Sequence, residues 1–159
     1  MADTPMWTYE VKYFINTGTS SSKVWTFVDY DSTFDPSRDN ETYEASYKAR
    51  KTQPKWVTSS TFTIDFEIDI VDGETLQTYF VNNEDNLNVE TELLRVWPIA
   101  VSSGSYPAKF ATFSMNMDPL DGGAGEPVKA KGTLDMIDDG WTVGIVTYNG
   151  SGVPSFTKS

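Results

Sequence analysis

The chain contains no cysteine and no histidine, and basic residues are scarce. Without a thiol or an imidazole it cannot contain a disulfide framework, a Cys/His zinc site, a thiol nucleophile or a Ser–His–Asp arrangement. Twelve Lys and Arg against 23 Asp and Glu give a formal net charge of −11. Proteins that bind nucleic acid present basic surfaces, so this charge argues against tight DNA binding. These absences exclude many enzyme classes.

Long hydrophobic runs are also absent, and none approaches the roughly 18 residues of a membrane-spanning helix. The N-terminal sequence MADTPMWTYEVKYF has neither the basic nor the apolar region of a signal peptide. We therefore expect an intracellular product without a membrane anchor. At 159 residues, with 38% hydrophobic and 14% aromatic residues, the chain is predicted to fold as one domain over residues 1–159.

Alternation of apolar and polar residues predicts a mainly β protein. The clearest strand runs over residues 62–70, where Asp65, Glu67 and Asp69 alternate with apolar residues. Weaker alternation predicts seven more strands, at Trp7–Ile15, Lys23–Tyr30, Tyr43–Gln53, Val89–Ser102, Ala108–Met117, Val128–Ile137 and Trp141–Tyr148. Asp139-Gly140, between the last two, is typical of a two-residue hairpin turn.

One short α-helix is predicted over residues 73–83, because a capping residue, one apolar face and an Asn-Asn end follow in order. These are Asp72, then Leu76, Tyr79 and Phe80, then Asn82-Asn83. Eight strands and one helix predict two packed antiparallel sheets that form a sandwich or half-open barrel. Residues 150–159 are predicted to be a loose tail.

The segment 29–58 interrupts this regular pattern. Acidic residues dominate its first half, and four of the twelve basic residues fall within eight positions of its second half. A long connection of this kind is usually functional or disordered, and its aromatic residues favour docking onto a neighbouring surface. The candidate inter-subunit docking residues are Phe34, Tyr43, Tyr47, Lys48, Arg50, Lys51, Lys55 and Trp56.

Three motifs resemble known ligand sites but are incomplete. Asp29–Thr33 begins like an EF-hand loop, yet Phe34 and Asn40 stand where Gly and Glu are required. The Gly-rich run at 122–125 has no following Gly-Lys-Ser/Thr. The carboxylates at 65, 67 and 69 have a spacing compatible with sugar hydrolysis, but any half-exposed strand produces such a row. We expect no catalytic residue, no metal site and no cofactor.

Taken in order, these segments resemble the major tail tube proteins of long-tailed bacteriophages, and more loosely the tubes of contractile tails and type VI secretion. The matching features span residues 7–149. They are an early strand pair, the charged run DPSRDNETYEASY at 35–47, the alternating strand at 62–71, the short helix at 73–83 and the run GGAGEPVKAKGTL at 122–134, which precedes a final hairpin.

The resemblance implies a β-sandwich or half-barrel subunit that forms homo-hexameric rings. In this family the rings stack into a tube whose inner strands form a continuous β-barrel, and the long excursion reaches a neighbouring subunit. DNA would pass through the lumen without specific binding, and other tail proteins would bind the tube ends. The protein would be made in the host cytoplasm and reside in the virion tail. Ring closure would also pair the strand edges that a lone sandwich leaves open.

A conduit for DNA must not hold its cargo, and an acidic lining achieves this because it offers no cation to phosphate. The first set of candidate lumen residues is Asp65, Glu67 and Asp69, and the second-choice set is Glu90 and Glu92 on the strand after the helix. Two alternatives remain open. One is a glycan-binding or glycan-cleaving jelly roll, suggested by five tryptophans and the carboxylate row. The other is a different tail component of the same fold, such as a terminator or a secretion tube subunit.

Overall fold

The computed structural model describes residues 4–159, and within them nine strands form one antiparallel sheet with a single short α-helix. The strands are β1 Lys12–Asn16, β2 Trp25–Phe27, β3 Asp31–Glu44, β4 Lys55–Asp69, β5 Val89–Val96, β6 Ser105–Met117, β7 Lys129–Met136, β8 Thr142–Tyr148 and β9 Pro154–Lys158. Helix α1, Thr75–Asn82, connects β4 to β5, and a 3₁₀ turn, Thr8–Glu10, precedes β1. The sheet does not close into a barrel. The predicted mainly β, sandwich-like class is confirmed.

The sheet forks at β6. Its main path runs β2-β1-β5-β6-β7-β4-β3. One edge of β6 pairs with β5, and the other carries two strands: β7 along Phe113–Met117 and β8 along Ser105–Phe110. β9 then pairs with β8. The predicted hairpin at Asp139-Gly140 is therefore wrong, because β7 and β8 both pair with β6 instead of with each other. Gly140 does have the positive φ expected of a turn, at 104°.

Two hydrophobic clusters lie on opposite faces of the central strands. Successive residues of a strand point to opposite faces, and Leu93 and Leu94 of β5, both 0% exposed, belong to different clusters. The larger cluster is built on Ile15, Val28, Ile64, Phe66, Ile68, Leu76, Phe80, Leu93, Ala111, Phe113, Met115, Ala130 and Leu134. The smaller cluster contains Phe14, Leu94, Val96, Ala108 and Val146. The strands between them are thus buried on both faces.

Helix α1 covers the larger cluster. Leu76 and Phe80 are buried in it, and the Phe80 ring stacks on Phe66 with 5.5 Å between centroids. The predicted cap at Asp72 is wrong, since the helix begins two residues later than expected, after Gly73 adopts φ +85° and Glu74 takes the N-cap position. The predicted end is confirmed, because Asn83 is the C-cap residue.

The segment 29–58 is the larger part of a long two-stranded ribbon formed by β3 and β4. Their register runs from Asp31 opposite Ile68 to Glu44 opposite Lys55. β7 pairs with β4 only over Thr63–Asp69. Residues 38–62 therefore extend past β7 as a ribbon, which we call the distal ribbon. The strand predicted at Tyr43–Gln53 is wrong beyond its first two residues, because 45–54 form the turn at the tip.

The C-terminal residues also differ from expectation. Instead of a loose tail over 150–159, Pro154–Lys158 form strand β9, which pairs with β8. The Phe156 ring stacks on Phe110 with 5.9 Å between centroids and packs against the smaller cluster. This segment is thus ordered by a strand pairing and by an apolar contact.

Candidate functional site

The acidic row of β4 lies on the face of the sheet opposite the larger cluster and its helix. Asp65, Glu67 and Asp69 alternate with the buried residues of β4, as the sequence predicts. The pairing with β7 places Glu67 opposite Lys131 and Asp69 opposite Lys129. Two lysines therefore lie next to this row, on the same face. We call this surface, formed by the outward side chains of β3, β4, β7, β6 and β5, the polar face.

Glu67 bridges both lysines. Its Oε1 lies 3.1 Å from Lys129 Nζ, and its Oε2 lies 4.0 Å from Lys131 Nζ. Lys129 Nζ is also 4.0 Å from Asp69 Oδ1. The hydrogen bond with Glu67, together with its charge, raises the pKa of Lys129 above its ordinary value. The ammonium and carboxylate groups thus neutralise each other on this part of the polar face.

Asp65 has different surroundings. It is exposed, and its cross-strand neighbours are Thr133 of β7 and Asp35 of β3, so two carboxylates stand opposite each other. Asp135 of β7 lies nearby and accepts a hydrogen bond of 2.8 Å from Thr63 Oγ1. No ion pair joins Asp65 to any residue in 4–159. Negative charge is therefore in excess around Asp65.

The second predicted acidic pair, on β5, lies on the same polar face. Glu90 is opposite Ser114 of β6, and Ser114 is in turn opposite Asp135 of β7. Glu90 is exposed, whereas Glu92 accepts a hydrogen bond of 3.0 Å from Asn16 and forms an ion pair with Lys23. Both sets of candidate lumen residues thus share one continuous surface, with unequal access to solvent.

The tip of the distal ribbon carries most of the predicted docking residues. Tyr43 and Trp56 are cross-strand partners whose rings stack at 6.2 Å, and about half of each side chain remains exposed, as does Val57 beside them. The basic side chains also belong to the tip: Lys55 pairs with Glu44 at 3.1 Å, Arg50 lies 5.5 Å from the Tyr47 ring, and Lys48 and Lys51 are exposed.

Phe34 does not join that group. It lies in the part of β3 within the body of the sheet, where its ring centroid is 4.6 Å from that of Tyr13 against the larger cluster. The other seven candidates lie in the distal ribbon. The exposed apolar surface of the ribbon therefore begins beyond Phe34.

Sequence reasoning missed Arg95 on β5. Its side chain is buried on the same side of the sheet as Leu93, where its guanidinium carbon faces the rings of Trp141, Trp97 and Phe62 at 4.4, 5.2 and 5.8 Å. Burial raises the pKa of the neighbouring Tyr13, and the positive charge of Arg95 opposes that rise. The alternation within β5 was the available signal, because Arg95 shares the parity of Leu93.

The part of the chain that the structure describes contains no group of three or more acidic side chains placed to hold a metal ion. No helix between residues 4 and 159 is long and apolar enough to span a membrane.

Comparison with known proteins gives a match of fold and no match of sequence. No protein-family model matches the sequence, and no curated protein matches it. By fold, the chain is similar to a chain in the cryo-EM structure of the anti-feeding prophage baseplate, which was sixfold symmetrised. The TM-score is 0.54 at 12% sequence identity, over 92% of this chain and 98% of the other. The two chains therefore share a fold across nearly their whole lengths.

Proposed function

We propose that this protein is a structural, non-enzymatic subunit of a bacteriophage tail or phage-derived injection particle, in which homo-hexameric rings stack into a tube. The observation that carries the proposal is the shared fold with a chain of a sixfold-symmetrised prophage baseplate, over 98% of that chain. The sequence resemblance to tail tube proteins supports the tube over other components of such particles.

The open edges of the sheet support a ring. Within residues 4–159, β2 and β3 end the main path of the sheet, and each pairs with one neighbouring strand only. An open edge exposes unpaired N–H and C=O groups, and a closed ring of subunits can pair them. Edge-to-edge contact around a ring would extend the polar face of one subunit into the next.

The polar face is our candidate for the lumen wall. It carries Asp65, Glu67, Asp69, Glu90 and Glu92, and its lysines are bound to acids. DNA presents one phosphate charge per roughly 1.7 Å of duplex axis, so a wall with free cations would hold it. Because Debye screening limits repulsion to about 8 Å at physiological salt, a central duplex could pass such an acidic wall.

The distal ribbon is our candidate for contact with a neighbouring subunit or ring. It projects beyond the paired body of the sheet and ends in the exposed apolar group Tyr43, Trp56 and Val57. Apolar and aromatic groups supply most of the stability of permanent interfaces, whereas exposed ion pairs contribute only about 0.2–1 kcal/mol each. The lysines and arginine of the tip would thus set register and partner choice.

Other tail proteins would bind the two ends of the tube, and the assembled protein would reside in the virion tail after synthesis in the host cytoplasm. The test is the oligomeric state of the purified chain at high micromolar concentration, near physiological salt. We expect light scattering to give hexamers or larger species, and negative-stain microscopy to show rings or tubes of uniform bore. A monodisperse monomer that forms no such particles would contradict the proposal.

A further inference from the structure

The polar face between β3, β4 and β7 has only two cationic side chains among the described residues, Lys129 and Lys131. Both belong to β7, and both lie next to Glu67 of β4, at 3.1 and 4.0 Å. Asp69 is a second, more distant partner of Lys129. One carboxylate thus engages every cation that this part of the face could present to a ligand.

These pairs matter because a lysine on a conduit wall is a phosphate contact. Each such contact releases a counterion from DNA and adds to affinity. A phosphate that binds Lys129 or Lys131 must first replace Glu67. The pair is partly shielded from solvent, since the side chain of Lys129 is 23% exposed and that of Glu67 27%. Lys131, at 55% exposure, depends on the longer contact.

We propose that Glu67 is the residue that keeps the wall from holding DNA, because it masks Lys129 and Lys131, with Asp69 as the second partner of Lys129. This rests on the proposed lumen assignment of the polar face. Masking by Glu67 is a different effect from the repulsion of DNA by acidic charge in general. Asp65 carries the same charge on the same strand and face, yet it contacts neither lysine. The specific partner, rather than the number of acids, determines whether the wall adheres to DNA.

DNA binding should increase stepwise as the lysines lose their acidic partners. Glu67→Gln frees Lys131 and leaves Lys129 with Asp69 as its one ion-pair partner. The double variant Glu67→Gln/Asp69→Asn removes every ion-pair partner of both lysines, and only the more distant charge of Glu126 still acts on Lys129. The matched controls are Asp65→Asn and Asp35→Asn/Asp65→Asn, which remove one and two charges from the same face without freeing a lysine. A further variant, Glu67→Gln/Lys129→Gln/Lys131→Gln, removes the mask together with both cations.

The experiment measures binding of a short DNA duplex by the full chain at several salt concentrations, first unassembled and then as assembled particles. Each freed lysine should steepen the slope of log affinity against log salt by about 0.9, so the double variant should gain ~1.8. Between 50 and 200 mM salt, the affinity of the double variant for DNA should therefore fall by a factor about ten times larger than that of the parent. The Asp65 controls should keep the slope of the parent, and the triple variant should return to it.

Two results would overturn the masking role: no gain of DNA binding in either Glu67 variant at low salt, or an equal gain in the Asp65 controls. A gain in the unassembled chain that is lost in assembled tubes would retain the mask but place the polar face in a contact between subunits, and so contradict the conduit wall. Failure of the parent to assemble contradicts the proposed function by itself. Microscopy of the parent keeps that failure distinct from failure of the mask.

Discussion

The guanidinium carbon of Arg95 lies 4.4 Å from the centre of the Trp141 ring. The residue is buried, with only 9% of its surface exposed. No carboxylate within residues 4–159 forms an ion pair with it. The faces of aromatic rings carry negative potential and attract cations, more strongly when water is excluded. The rings of Trp141, Trp97 and Phe62 thus occupy the place that an anion usually takes beside a buried arginine.

Replacement of Arg95 tests this arrangement. Arg95→Ala removes both the cation and the side-chain volume, and we expect a loss of about 2–4 kcal/mol in the free energy of unfolding. Arg95→Met keeps much of the volume and removes a buried charge, so its loss should be clearly smaller. Urea unfolding followed by tryptophan fluorescence measures both. Equal losses in the two variants would contradict a packing role for the aliphatic part of the Arg95 side chain.

The helix should depend on one aromatic contact. Phe80 is 1% exposed and stacks on Phe66, so Phe80→Ala leaves a cavity in the larger cluster. We expect a loss of about 3–5 kcal/mol in the free energy of unfolding. Val81, the next residue of the helix, is 46% exposed, and Val81→Ala should change stability by no more than about 0.5 kcal/mol. Similar effects of the two substitutions in urea unfolding would argue against this packing of α1.

Gly132 belongs to the run GGAGEPVKAKGTL, and the backbone of β6 passes too close to it for a side chain to fit. A Cβ at this position would lie 2.2 Å from the carbonyl oxygen of Asn116 on β6. Gly132→Ala should therefore push β6 and β7 apart, at a cost of about 1–3 kcal/mol, whereas Gly150→Ala meets no atom within 4 Å. Thermal unfolding of the two variants provides the comparison. An unchanged melting temperature for Gly132→Ala would contradict the register that pairs Gly132 with Met117.

The distal ribbon should be dispensable for folding and necessary for assembly. Asp39 lies opposite Thr61, so an Asn-Gly turn can replace residues 40–60 and close a shorter hairpin. We expect a cooperative urea unfolding transition like that of the parent, and loss of rings or tubes. Changing Lys48, Arg50, Lys51 and Lys55 to Glu should impair assembly less, because the apolar tip remains. If the shortened chain assembles as well as the parent, the ribbon has no docking role.

Tyr79 should make the fold sensitive to alkali. Burial raises its pKa above the ordinary value of 10.0, although its hydrogen bond with Thr91, at 3.1 Å, opposes the rise. The folded state therefore keeps this proton at a pH where the unfolded chain loses it, so stability falls as pH rises above about 10. Tyr79→Phe loses a hydrogen bond of about 1 kcal/mol at neutral pH but also removes this pH dependence. The stability difference between parent and variant, followed by urea unfolding, should thus shrink between about pH 8 and pH 11. A constant difference would contradict the prediction.

The sequence predicts strands well where one face is buried. Residues 62–70 alternate because Ile64, Phe66 and Ile68 enter the larger cluster. The distal ribbon leaves no such signal, because most of its side chains are exposed on both faces and nothing in the pattern distinguishes a solvated ribbon from a loop. Strand β9 escapes prediction for another reason: its pairing with β8 depends on a register that local sequence does not encode.

The candidate site shows the same limit. Asp65 and Glu67 are equivalent in the sequence, since both are outward acids of one strand. They differ only because β7 places Thr133 opposite the first and Lys131 opposite the second. The acidic row could therefore be predicted, whereas its partial neutralisation could not. Likewise, the polar face unites the β4 and β5 acids only through the positions of β6 and β7 between them.

Strand β6 touches both halves of the domain. It hydrogen-bonds to β5, β7 and β8, and it contributes Ala108 to the smaller cluster and Phe113 to the larger one. Because β6 contributes to both clusters, loss of its native pairing would disrupt both, and we expect the two to unfold in a single cooperative transition. The central amides of β6 should accordingly be among the slowest in the protein to exchange with deuterium, because their exposure requires global unfolding. A chain built in this way would unfold under mechanical load as a single unit, instead of losing the strands around one cluster before those around the other.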